Sequence, residues 1–290
     1  MGVLGVIGGS GVYELDALED ARWEKVESPF GTPSDALLRG RLQGQEVAFL
    51  PRHGRGHRIP PSRIDYRANI DALKRAGVAD LVSISACGSL REELSPGTFV
   101  LVDQFVDRTV ARASSFFDVG LVAHVSMADP VCARLGDLLE AVARGQGIAV
   151  HRGGTYLAME GPQFSSRAES ALYRTWGCDV IGMTNLPEAK LAREAELCYA
   201  SVAMVTDYDC WHPHEEDVAV ADILALVARN ADQGRQLVAG LAPRLRGRPV
   251  PCPSGCDRAL EGAIITDPSA RDPEQMRRLV AVAGRVLGRA

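Results

Sequence analysis

Short apolar runs alternate with amphipathic helical patterns from residue 3 to about residue 242, and this alternation restricts the fold more than any single motif. Residues 3–7, 46–50, 80–85, 98–102, 179–183 and 198–206 read as strands. Residues 62–76, 130–145, 165–176 and 217–241 repeat apolar positions at helical spacing; in the first, Ile64, Ala68, Ile70 and Leu73 share one side. Strands that are apolar throughout must be covered on both faces. The chain is therefore predicted to be α/β, a single domain with a mixed, mostly parallel central sheet flanked by helices. A hydrophobic share of 46% over 290 residues is enough for its core.

Residues 246–272 are rich in Pro, Gly and Arg, lack a period, and read as an extended excursion. Residues 273–287 regain helical spacing, with Met276, Leu279, Val280, Ala283 and Val286 on an apolar face. That tail is too short for a core of its own. We divide the chain into a domain, 1–245, and a C-terminal extension, 246–290, whose docking helix packs on the domain or on a neighbouring subunit.

A formal charge of −5 argues against nucleic acid or an anionic membrane as partner. No apolar run approaches the roughly eighteen residues that span a bilayer, and the N-terminus enters a strand without a basic leader, so a cytoplasmic protein is expected. Seven cysteines, scattered and odd in number, do not suit a secreted disulfide framework. Only Cys252-Pro253-Ser254-Gly255-Cys256 stands out, as a small local disulfide or a reduced pair. Zinc would need two more ligands, none of which is nearby in sequence, so no metal is expected and the other five cysteines read as buried thiols.

Ligands of open α/β sheets collect beyond the carboxyl ends of strands. One strand ends at Thr206-Asp207-Tyr208-Asp209, where two neighbouring carboxylates raise the proton affinity of one of them. The alternative is a turn in which they merely accept from backbone N–H groups. The first strand ends at Gly8-Gly9-Ser10-Gly11, which lacks both the GxGxxG spacing and the Walker lysine. Other strands end at Arg52-His53 and at Ser85-Ala86. An arginine fork, an imidazole, hydroxyls and unobstructed backbone amides together suit phosphate. Phe164 and Ser165 would stack on and hydrogen-bond to a flat heterocycle, or else act as a hydrophobic staple and an N-cap. Met183-Thr184 closes another strand, and its methionine is equally compatible with core packing.

The ordered motifs Ile7-Gly8-Gly9-Ser10-Gly11, Arg52-His53-Gly54-Arg55, Ala86-Cys87-Gly88-Ser89 and Glu160-Gly161-Pro162-Gln163-Phe164-Ser165-Ser166-Arg167 resemble the 5′-methylthioadenosine phosphorylases of the trimeric purine nucleoside phosphorylase superfamily. The resemblance implies a nucleoside phosphorylase-like fold and attack of inorganic phosphate on 5′-methylthioadenosine. The products would be adenine and 5-methylthioribose 1-phosphate, as in methionine and purine salvage. It implies phosphate held by Ser10, Arg52, His53, Ser85, Ala86 and Thr184, ribose against Met183, and the base against Phe164, Ser165, Asp207 and Asp209. Asp207 would be the general acid to purine N7, with Asp209 accepting from N6 or assisting. His124, Val220, Ile223, Leu224 and Leu279 would surround the 5′ substituent, His124 and Leu279 coming from a neighbouring subunit. A homotrimer, or a dimer of trimers, is implied, with no cofactor beyond phosphate as co-substrate.

Related 6-oxopurine enzymes carry Asn in the region of Asp207, which disfavours inosine and methylthioinosine here. The same pocket would accept 5′-deoxyadenosine. The rival readings are a broader purine nucleoside or methylthioinosine phosphorylase and a non-catalytic nucleoside-binding sensor.

Overall fold

The computed structural model describes residues 2–9, 17–212 and 220–288, with the backbone alone for 220–224. The strands, in chain order, are β1 (Val3–Gly8), β2 (Glu19–Glu24), β3 (Leu37–Leu42), β4 (Gln45–Pro51), β5 (Val78–Ser89), β6 (Phe99–Val102), β7 (Gln104–Arg108), β8 (Val150–Arg152), β9 (Thr155–Met159), β10 (Val180–Gly182) and β11 (Cys198–Asp207). The helices are α1 (Tyr66–Arg75), α2 (Ala133–Gly145), α3 (Arg167–Thr175), α4 (Asn185–Glu194), α5 (Val220–Leu241), α6 (Pro273–Arg278) and α7 (Val280–Leu287). All strands join one mixed sheet flanked by helices, as the alternation of patterns predicts.

The buried centre is parallel: β1 lies between β4 and β5, and β5 pairs with β11. Period-two alternation splits β1 between two cores. Val3 and Ile7 pack on the face shared with Ile70 and Leu73 of α1 and Ala189 and Ala192 of α4. Leu4 and Val6 pack on the face shared with Leu135 and Leu139 of α2 and Leu237 and Leu241 of α5. At its far end β5 forks: Cys87 still pairs with β11, whereas Gly88 and Ser89 also meet β10 in antiparallel register. Beyond the fork, β10, β9 and β7 form one wing and β11, β6 and β8 the other. The cleft between the wings is the place such a sheet leaves for a ligand.

All six expected strands form. The exposed edge strand β2, Glu-Asp-Ala-Arg-Trp-Glu, has no apolar run to announce it. Helix α4 is equally silent in sequence, because Leu186 is extended at φ −121° and ψ 138° and the polar Asn185 and Glu188 are buried. The expected terminal helix breaks at Leu279 into α6 and α7. The cap of α3 also shifts by one residue: Ser166, not Ser165, closes a capping box with Glu169. None of the seven cysteines forms a disulfide, so Cys252 and Cys256 are not bridged to each other.

Candidate active site

A cavity of about 480 Å³ opens at the fork, where β1, β4, β5, β10 and β11 end. Among the residues expected at the site, Arg52, His53, Ser85, Ala86, Phe164, Met183, Thr184, Asp207 and Asp209 all line it. Ser10 lies outside the described residues.

The floor is built around Arg52, whose residue surface is 1% exposed. Its Nε donates to Glu188 Oε2 at 3.0 Å, Nη1 donates to the Ile84 carbonyl at 3.0 Å, and Nη2 donates to Ser83 Oγ at 2.6 Å. Burial opposes the guanidinium charge, but the Glu188 carboxylate outweighs it and leaves Arg52 above its ordinary value. Tyr199 donates its hydroxyl to Glu188 Oε1 at 3.0 Å, so α4, β4 and β11 are locked together beneath the cavity.

His53 completes this floor in a neutral state. Burial, with the Arg52 charge adding to it against the hydrogen bond to Ile59, pulls its pKa down to about 4. Its Nδ1 lies 2.8 Å from the Ile59 carbonyl oxygen and donates to it, which leaves Nε2 as an acceptor. Its one proton is already committed, so His53 meets a ligand as an acceptor. Ser85 donates to Asn185 Oδ1 at 3.2 Å, and Asn185 reaches Ser201, a buried chain of polar contacts under the floor. Thr184 is the N-cap residue of α4, yet its side chain makes no capping bond, so the hydroxyl remains available to the cavity.

The acidic wall owes its shape to a bulge. Val205 pairs with Cys87 and Asp207 with Gly88, so Thr206 is an extra residue in β11 and re-aims the two aspartates beyond it. Thr206 donates its hydroxyl to Asp207 Oδ2 at 2.7 Å, and the Asp209 amide donates to Asp207 Oδ1 at 2.9 Å. Asp209 itself adopts φ 51°, and its Oδ2 is buried without a hydrogen-bond partner of normal geometry. Burial, aided by the Asp207 charge and opposed by nearby Ser170, raises the Asp209 carboxyl above its ordinary value. Asp209 is thus a carboxyl of the pair whose affinity for a proton burial raises, beside the Asp207 to which the resemblance gives the acid role. Trp211 donates its indole N–H to the Ser89 carbonyl at 2.8 Å, and Arg174 covers its ring at 3.6 Å, which fixes the turn after the pair.

Two positioning residues escaped the sequence reading. Glu188 carries the Arg52 pairing described above. Arg112, from a loop without periodicity, has a side chain 1% exposed. It pairs with Glu160, and Nη1 donates to the carbonyls of Met183 at 2.6 Å and Leu186 at 2.7 Å while Nη2 donates to that of Glu160 at 2.6 Å. It thereby ties the segment that carries Met183 and Thr184 to the loop after β9. No spacing signal marks such a residue, because its partners, backbone carbonyls and the Glu160 carboxylate, are far away in sequence.

Phe164 is 84% exposed and stands at the cavity mouth with Val227 of α5. Ser165 is just behind, its hydroxyl 3.8 Å from Met159 Sδ and its carbonyl accepting from Cys210. Val220, Ile223 and Leu224 begin α5, but their side chains lie outside the described residues. His124 is exposed and away from its own cavity, its backbone N–H donating to the Ala263 carbonyl at 2.9 Å. Leu279 is 0% exposed inside its own chain's core with Val282 and Ala283. A side chain spent in that way cannot line a neighbour's pocket, which corrects the role expected for it.

The fold and the sequence have known counterparts. The S-methyl-5′-thioadenosine phosphorylase of Cereibacter sphaeroides is 65% identical over 98% of this chain and 98% of its own length. That of Rhodospirillum rubrum is 63% identical over 99% and 97%. Among solved structures, a methylthioadenosine phosphorylase from an antarctic soil metagenomic library superposes with a TM-score of 0.92 at 46% identity, covering 97% of this chain and 98% of that one. The methylthioadenosine phosphorylase of Schistosoma mansoni in complex with tubercidin gives 0.84 at 34% identity, covering 94% and 99%. The model of the Phosphorylase superfamily matches residues 3–242, and the chain belongs to that superfamily.

Proposed function

We propose that this chain phosphorolyses 5′-methylthioadenosine to adenine and 5-methylthioribose 1-phosphate. The observation that carries the reading is the union, in one cavity, of an anion floor at Arg52, Ser85 and Thr184 with the carboxyl pair Asp207–Asp209. The identity to named methylthioadenosine phosphorylases supports the choice of nucleoside.

In this reading a phosphate oxygen attacks C1′, the C1′–N9 bond breaks, and its electron pair passes to the purine. The sugar gains oxocarbenium character, which the phosphate held on the floor stabilises. His53, neutral with Nε2 as acceptor, takes a hydrogen bond from a protonated phosphate oxygen. The leaving purine takes a proton at N7 from the carboxyl pair, Asp209 storing it and Asp207 fixed at both oxygens beside it. Phe164 stacks on the base, and Met183 packs against the ribose. The step uses phosphate as co-substrate and no other cofactor.

A carboxylate at the base edge accepts from the 6-amino group of adenine and faces the 6-oxo group of hypoxanthine acceptor to acceptor. Such mismatches are rejected strongly. His124 is exposed, and the reading assigns it to the pocket of a neighbouring copy in a cytoplasmic homotrimer. No helix among the described residues is long and apolar enough to cross a membrane.

The test is release of free base from methylthioadenosine, methylthioinosine, 5′-deoxyadenosine, adenosine and inosine, with and without phosphate. Phosphate-dependent release from the 6-amino nucleosides is expected, methylthioadenosine foremost. Equal cleavage of methylthioinosine would defeat the base-edge argument, and binding without release would favour a sensor.

A further inference from the structure

Far from the cavity, four cysteines from three distant parts of the sequence converge. Cys132 is the N-cap residue of α2, Cys198 is the first residue of β11, and Cys252 and Cys256 come from the aperiodic extension. Their sulfurs all lie within 4.8 Å of one another, and no residue of the four is more than 1% exposed. The two ligands that the Cys252-Pro253-Ser254-Gly255-Cys256 segment lacked nearby in sequence are thus supplied by the fold. We infer that Cys132, Cys198, Cys252 and Cys256 form a closed tetrahedral zinc site that fastens the C-terminal extension to the sheet.

The spacing fits the ion. Four thiolates at a Zn–S distance of about 2.3 Å sit about 3.8 Å apart at the corners of a tetrahedron. Cys132 Sγ and Cys252 Sγ are 3.7 Å apart. A disulfide would require about 2.0 Å, and a cluster of several metal ions would need a wider cage than these four sulfurs enclose.

The surroundings are those of bound thiolates. Zinc with four thiolates carries two net negative charges, and two guanidinium groups stand beside it. Arg248 Nη2 donates to Cys198 Sγ at 3.3 Å. Arg134 and Arg248 share a single carboxylate, Asp80, so one positive charge of the trio remains for the sulfurs. Ser254 Oγ lies 3.8 Å from Cys132 Sγ, placed to donate to a thiolate. The turn joining the last two ligands is already shaped: Gly255 at φ 67° lets its N–H reach the Cys252 carbonyl at 2.9 Å. The Asp257 carboxylate accepts from the Cys252 N–H at 2.9 Å and 3.0 Å.

Four protein ligands leave no open position, so the site is structural. It lies at the opposite end of β11 from Asp207, and its effect on turnover is confined to holding the fold.

Zinc content, measured on protein purified without chelator from zinc-containing medium, decides the matter. One zinc per chain is expected in the wild type and in Cys178→Ser, whose cysteine lies outside the cluster. Cys198→Ser and the double variant Cys252→Ser/Cys256→Ser should hold less than about a tenth of an equivalent, since tetrathiolate affinity collapses when ligands are lost. Should those variants fail to fold, the wild-type chain suffices: a mercurial should release zinc in step with loss of four thiols. Cobalt(II) refolded into the stripped protein should show thiolate-to-metal charge transfer and tetrahedral visible bands. A wild-type chain with less than about a tenth of an equivalent of zinc, whether its thiols are free or bridged, overturns the proposal. So does zinc retained by the double variant.

Discussion

Arg52 Nε and Glu188 Oε2 meet at 3.0 Å with side chains 1% and 2% exposed, so the cation that faces the cavity is held by an anion water cannot replace. Removing one partner of such a pair strands the other charge in the interior. Glu188→Ala is expected to lower the unfolding free energy by about 3–5 kcal/mol and to raise the KM for phosphate. Urea unfolding and phosphate-dependent kinetics check both; a loss below about 1 kcal/mol would mean that Arg52 finds its compensation elsewhere.

This pair also marks the limit of what the sequence disclosed. Strand ends at Arg52 and Asp207 were legible, because buried apolar runs stop there and ligands collect beyond them, whereas Ser85 lies inside β5, which continues to Ser89. Glu188 was not legible, because it sits in a helix whose first residues, Asn185 and extended Leu186, hide the period. Arg112 and the thiol cluster stayed hidden for a related reason. Arg112 reaches partners 46 to 74 residues away and Cys132 meets Cys252 across 120, separations only the folded sheet closes. The proton bookkeeping of Asp207 and Asp209 depends on burial, which spacing does not report.

Gly88 lets the acidic wall approach β5. A Cβ there would stand 2.8 Å from Asp207 Oδ1, 3.2 Å from Ile181 Cγ2 and 3.3 Å from Asp209 Cβ. Gly88→Ala should displace Asp207, costing about 1–3 kcal/mol in stability. Misplacement on that scale also costs about 100-fold in kcat/KM. Steady-state kinetics with methylthioadenosine and thermal unfolding measure the two effects; full activity would show that the wall yields without consequence.

Asp209 is expected to give the reaction an alkaline limb. Its folded pKa is raised above the unfolded value, so the native state favours the protonated carboxyl. That contribution to stability is complete below the unfolded pKa and is lost as pH rises through the folded one. If the stored proton is the one delivered to N7, kcat falls over the same rise, and Asp209→Asn removes that limb while lowering kcat. A kcat profile of Asp209→Asn with the wild-type alkaline limb intact would assign the limb to another group.

His53 works in the opposite sense. Its pKa falls from 6.5 to about 4, chiefly through burial, so the folded state prefers the neutral ring. The stability this provides is whole above pH 6.5 and drains away as pH drops toward 4. His53→Asn should flatten the stability profile in that window. In the wild type, nitrogen chemical shifts should report Nδ1–H and a bare Nε2 at neutral pH; a ring titrating near 6.5 contradicts the buried neutral state.

Leu279 separates a core role from a contact with a neighbouring copy. It is 0% exposed, packs with Val282 and Ala283 at the junction of α6 and α7, and shares a core with Leu73 of α1. Leu279→Ala leaves a cavity there and should destabilise the chain by about 2–5 kcal/mol. Because the side chain faces inward, the KM for methylthioadenosine should stay within about twofold at temperatures where the variant remains folded, a change worth less than about 0.5 kcal/mol of binding. Denaturant unfolding and substrate kinetics on the same preparation read the two independently. A tenfold rise in KM with little loss of stability would instead return Leu279 to the 5′ pocket of a neighbouring subunit, in an assembly where α6 and α7 leave the position seen here.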